Sequence, residues 1–135
     1  MRKRTGDRPV AGFNLVAVAG TEGLCLHYDG VLRPAPFGPG AHVVSTDRDL
    51  DDPAMPEKQA FDRFLAALAG PPDERALASF LASHEGGRPI CRHGDRFGTV
   101  SSTIHIRTAS RARLLYADGP PCRTPFAEIP LDRPN

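Results

Sequence analysis

The hydrophobic period of this chain changes twice, and that change restricts its fold more than any other feature. Residues 13–44 read with period two, in short apolar and β-branched runs interrupted by glycine and proline. Further on, Phe61, Phe64, Leu65 and Leu68 fall at i, i+3, i+4 and i+7, which lines one face of a helix. From Phe97 the period returns to two. Strands, then helices, then strands argue for an α+β layer structure and against alternating βαβ units.

Punctuation refines that order. Phe13 to Ala19 and Leu24 to Tyr28 are separated by Gly20-Thr21-Glu22-Gly23, which predicts a β-hairpin. Asp29-Gly30 is a tight-turn pair, and Val31 to Phe37 carries Pro34 and Pro36, which suits a sheet edge because proline donates no ladder hydrogen bond. Ala41 to Thr46 predicts a fourth strand, followed by the acidic run Asp47 to Asp52. Pro56 fits the first turn of a helix that Gly70-Pro71-Pro72 ends, and Asp73 is a natural N-cap for a second helix carrying Leu77, Phe80 and Leu81. The two are expected to form a helical hairpin, closed by Gly86-Gly87. A long strand from Phe97 then places Val100, Ser102, Ile104 and Ile106 on one face and Thr99, Ser101, Thr103, His105 and Arg107 on the other. Arg111 to Ala117 and Phe126 to Leu131 predict the last two strands.

A length of 135 residues fits one domain, expected at 13–131 behind a flexible basic tail, 1–12, that holds Arg2, Lys3, Arg4 and Arg8. Seventeen Lys and Arg against 16 Asp and Glu give a net charge of +1, too weak a field to draw in nucleic acid or an anionic membrane. No apolar run approaches the ~20 residues of a membrane span. Three cysteines, Cys25, Cys91 and Cys122, are an odd number without tight spacing, which points to a reducing compartment and a cytoplasmic protein.

Few constellations carry chemistry. Cys91, His93 and Cys122 are metal-ligand types, but no C-x-x-C pair is present, so ordinary thiols and no metal are expected. A Cys91–His93 nucleophile pair is conceivable, but with the segment read as extended it is not expected. Cys25, between Leu24 and Leu26, reads as a small core residue. Thr99, Ser101, Ser102 and His93 are the candidate pocket residues, as hydroxyl donors and a proton carrier, against the plainer reading of a solvent-facing strand. Asp47, Asp49, Asp51 and Asp52 lack the glycine and terminal glutamate of a calcium loop.

Four blocks in order, FNLVAVAGTEGLCLHYDG, PGAHVVSTDRDLDDP, ICRHGDRFGTVSSTIHIR and YADGPPCRTPF, resemble the C-terminal half of the NRDE family, also called the transport and Golgi organisation two family. The resemblance spans about Phe13 to Phe126. It implies a partial N-terminal-nucleophile hydrolase-like fold, two antiparallel sheets between helical layers. Family members begin with a cysteine nucleophile followed by an Asn-Arg-Asp-Glu motif, and this sequence carries neither; Cys25, inside a strand, does not inherit the role. Thr46 and Asp47 stand where related amidases place an asparagine, and Val100 stands where many relatives carry arginine. The resemblance therefore implies a half-fold that is not catalytic alone and acts by association or ligand binding. Its partner would be an N-terminal half or a second copy, with a small-molecule ligand and no cofactor. The alternatives are a subunit of an amidohydrolase, cleaving a C–N bond, or haem or metal handling through His93, His105 or Cys91. An upstream start codon is a further expectation, because the resemblance begins in mid-fold.

Overall fold

The computed structural model describes residues 11–45, 48–86 and 89–131. The basic tail expected at 1–12 lies almost wholly outside them, as do Thr46 and Asp47. The chain divides into two compact units between Gln59 and Ala60. Two three-stranded antiparallel sheets and two helices make an α+β architecture in the expected order.

In the first unit, β1 (Phe13–Ala19), β2 (Glu22–Tyr28) and β3 (Leu32–Phe37) form a meander with β2 in the centre. The hairpin turn needs only Gly20 and Thr21, with Gly20 at φ 60°, so β2 starts two residues before the expected Leu24. Register places Asn14, Val16 and Val18 opposite His27, Cys25 and Gly23, on one face. The loop after β3 and the Phe37 ring cover part of this face, around Gly23, Cys25 and His27, while Val16 and Val18 stay 47% and 61% exposed. Asn14 Nδ2 donates to the Ser45 carbonyl at 2.6 Å, and the Phe37 ring lies so close over Gly23 that any side chain there would collide with it. Cys25 and His27 are consequently buried, and burial pushes the Cys25 thiol pKa up. Cys25 is the core residue its position suggested. His27 is held by its Nδ1–H, which donates to Asn14 Oδ1 at 2.6 Å.

The opposite face has no such cover. Phe13, Leu15 and Ala17 of β1, Leu24, Leu26 and Tyr28 of β2, and Leu32, Pro34 and Pro36 of β3 share it, and all are exposed or half-buried. Leu15 and Leu32 are each 54% exposed.

The fourth strand predicted at 41–46 does not form; an isolated bridge, Ser45 to Arg48, stands in its place. The backbone of Val43 is used elsewhere, since its N–H donates to Asp51 Oδ1 and its carbonyl accepts the Asp51 N–H. Asp51 adopts φ 56°, a conformation that Asp and Asn tolerate better than most residues. Its second oxygen meets His42 Nδ1 at 2.6 Å, while His42 Nε2 faces the Gly38 carbonyl at 2.9 Å. Both ring nitrogens thus face acceptors, which suits the doubly protonated imidazolium. The bond to Asp51 raises the His42 pKa, and the carboxyl of Asp51 is held below its usual range despite the opposing effect of its own desolvation. The acidic run is therefore structural: Asp52 likewise accepts the Ala54 N–H and an Arg48 guanidinium hydrogen.

Helix α1 (Pro56–Ala66) starts at a proline and crosses the division between the units. Helix α2 (Glu74–Leu81) is capped by Asp73, whose carboxylate accepts the Ala76 N–H at 2.7 Å. Phe61 and Phe64 meet Phe80 with ring centroids 5.3 and 4.7 Å apart, so the apolar faces read from the sequence do meet.

The second sheet orders β4 (Ser102–Arg107), β5 (Ala112–Ala117) and β6 (Ala127–Ile129). Ile104 pairs with Leu115 and Ser102 with Ala117, and Ile104, Leu115 and Ala117 are buried. The expected strand from Phe97 is shortened to begin at Ser102. Thr99 explains this, because its N–H donates to the Arg92 carbonyl and its hydroxyl accepts the Arg92 N–H. The segment 92–99 closes on itself instead of extending the ladder. On the buried side of the sheet, Arg113 bridges Glu74 at the start of α2 and Glu128 on β6. These two carboxylates push the Arg113 pKa further up, and Glu128 is lowered in return.

Two outcomes follow from these ion pairs. Arg113→Ala should clearly lower the midpoint of urea unfolding. Arg111→Ala should cost under about 0.5 kcal/mol, since that guanidinium is 68% exposed and only approaches Glu128 at 3.6 Å. Equal effects would contradict the bridging role. In an NMR titration His42 should ionise above its ordinary 6.5 and return toward it in Asp51→Asn. Because its folded pKa is raised, the stability from this pair is complete below about pH 6.5 and is lost as pH rises through the folded value. An unchanged midpoint in the variant would overturn the pairing.

Candidate functional site

The main concentration of chemically competent side chains among the described residues lies in the second unit, where His84, Cys91, His93 and Cys122 converge. Three separate segments deliver them. His84 follows the end of α2, whose Ala82 and Ser83 amides still bond back to Ala78 and Phe80. Cys91 sits at a bend fixed by its own N–H, which donates to the Ser83 carbonyl at 2.9 Å. His93 opens the closed loop 92–99. That loop has no space for a side chain at Gly94, where a Cβ would stand 2.8 Å from the Phe97 carbonyl oxygen. Cys122 lies in the turn after β5, where the Pro120 carbonyl accepts the N–H groups of Arg123 and Thr124.

The ligand-type atoms of all four lie within 4.8 Å of one another. Cys91 Sγ is 3.5 Å from Cys122 Sγ and 3.8 Å from His93 Nε2. His93 Nε2 is also 3.1 Å from Cys122 Sγ and 3.2 Å from His84 Nε2. Cys91 is fully buried and Cys122 half-buried, while the two histidines reach the surface. Desolvation lowers the His93 pKa, helped by Arg123 and His84. Desolvation, with the neighbouring Cys91, raises the Cys122 pKa. All three cysteines are free thiols.

The predicted pocket residues fare differently. His93 belongs to this cluster and also borders an open depression of about 570 Å³ that Arg92, Thr99 and Arg123 line with it. The Thr99 hydroxyl is committed to the Arg92 amide. Ser101 and Ser102 are half-buried, with Ser102 opening β4. His105 stays on the exposed face of β4, outside the cluster. Sequence reasoning had set Cys91 and His93 apart by assuming an extended segment; the bend at Cys91 removes that assumption and brings Sγ and Nε2 together. It also missed His84, which follows a helix end at no recognisable ligand spacing.

No helix among the described residues is long and apolar enough to cross a membrane. In comparisons with known proteins, no family model, no curated protein and no solved structure matches this chain.

Proposed function

We propose that residues 13–131 act by association, as the C-terminal half of an NRDE-type, N-terminal-nucleophile-like sheet protein, and are not a self-sufficient enzyme. The observation that carries this reading is the uncovered apolar face of the first sheet. Nine apolar or aromatic residues share it, and fully burying a leucine such as Leu15 or Leu32 contributes about 1.5–3 kcal/mol. A continuous apolar patch of a few hundred Å² is often functional.

The occupant is a polypeptide that brings β-strands of its own. β3 presents Pro34 and Pro36 at its edge, which blunts pairing there, whereas the edge of β1 holds no proline and is unpaired. An incoming strand gains backbone hydrogen bonds on β1 and extends the sheet, and a second sheet can then cover the face at about 10 Å. Two copies meeting on this face alone are less well suited. Seven-residue strands at ~3.3 Å per residue and three strands at ~4.8 Å spacing offer only roughly 300 Å² per partner, against the ~800 Å² of a stable interface. The amidohydrolase alternative would draw on Thr99, Ser101, Ser102 and His93, and the Thr99 hydroxyl already serves the loop. Association is therefore the better supported reading.

Replacing Leu15 with a photo-reactive benzoylphenylalanine in the native cells tests this directly. Irradiation should yield an adduct whose second peptide lies outside residues 11–131, on the same polypeptide or a separate one, while the same probe at Thr103 gives none. No adduct, or one joining two copies of residues 11–131, contradicts the proposal.

A further inference from the structure

We infer that His84, Cys91, His93 and Cys122 form a closed, tetrahedral zinc site that ties the end of α2 to the loops flanking the second sheet. This goes beyond the association reading and depends on a different unit. It also departs from the ordinary-thiol expectation drawn from the sequence.

The distances carry the inference. Zinc–sulfur bonds of about 2.3 Å and zinc–nitrogen bonds of about 2.0–2.1 Å at tetrahedral angles set sulfur–sulfur, nitrogen–nitrogen and sulfur–nitrogen separations of ~3.8, ~3.4 and ~3.6 Å. The cluster shows 3.5 Å between its sulfurs, 3.2 Å between its imidazole nitrogens, and 3.1 and 3.8 Å from His93 Nε2 to the two sulfurs. The remaining edges of the tetrahedron are within 4.8 Å.

Hydrogen bonding does not account for that convergence. His93 Nε2 lies against three groups at once, and one ring nitrogen holds either one proton or one lone pair. Two thiols and two imidazoles facing a common point instead share a single cation. Two sulfurs with two imidazoles are a borderline-soft donor set that zinc accepts in tetrahedral geometry. Four protein ligands leave no open position, so the role is structural and not hydrolytic. On binding, each thiol gives its proton to solvent and stays as thiolate.

The site also explains the local architecture. The bend at Cys91, the closed loop 92–99 and the turn 120–124 lie outside the helices and strands, and Phe97 is 87% exposed. A cation joining them supplies the order that burial does not.

Protein purified without a histidine tag, under reducing conditions, should contain about one zinc per chain by elemental analysis. Cobalt(II) added to stripped protein should give the intense visible bands of a tetrahedral site together with a thiolate-to-cobalt charge-transfer band. Cys91→Ser/Cys122→Ser should lose both zinc and that band, whereas Cys25→Ser should keep them. Since the double variant could unfold for other reasons, stripped wild-type protein provides the second reading: one equivalent of zinc should raise its Tm, and magnesium should not. Zinc content unchanged in the double variant, or a weak octahedral cobalt spectrum in wild-type protein, overturns the inference. Either result leaves the photo-adduct at Leu15 unaffected, so the two proposals fail separately.

Discussion

Ordering a strand costs about 1–2 kcal/mol per residue in backbone freedom, and a sheet recovers that cost chiefly by burying its faces. The first sheet does so on part of one side. There Phe37 lies over Gly23, Asn14 reaches Ser45, and Cys25 and His27 are enclosed. On its other side, Leu15 and Leu32 are exposed and Leu26 is half-buried. The strands, the loop that the His42–Asp51 pair pins, and the proline-blunted edge of β3 all make sense around a sheet prepared for cover on its apolar side. The association reading rests on that asymmetry.

The second unit meets the same demand differently. Its sheet buries Ile104, Leu115 and Ala117, and Arg113 draws α2 and β6 together through two carboxylates. The sulfur and imidazole groups gather in irregular chain, at His84 after α2 and within 91–93 and 120–124. Charge pairing suits the half-exposed rim, where long side chains stay hydrated at their tips. A coordinated cation suits the loops, because coordination needs only four atoms and no continuous apolar surface.

Much of the fold was legible in the sequence because periodicity reports which face is buried. Both helices and the alternation of Ser102 to Arg107 followed from it, and the hairpin and the Asp73 cap from turn and cap residues. The errors occurred where backbone groups are spent locally. Val43 is bound to Asp51 and Thr99 to Arg92, so two runs of strand-forming residues remain outside the sheets. No periodicity reveals such a closure. The cluster was half legible: Cys91, His93 and Cys122 stood out by residue type, but their meeting depends on a bend and a turn. His84 had no signal of its own, since its place is set by where α2 stops.

Hydrogen–deuterium exchange on the purified chain, measured peptide by peptide, is the most direct test of the central claim that the first sheet awaits a cover and the second does not. Fast exchange across residues 13–37 with slow exchange across 102–117 is the predicted result, because the uncovered sheet lacks the burial that holds its ladder closed. Equal, strong protection of both sheets in the isolated chain would show that β1 to β3 are stable without a partner, and would contradict the association reading at its root.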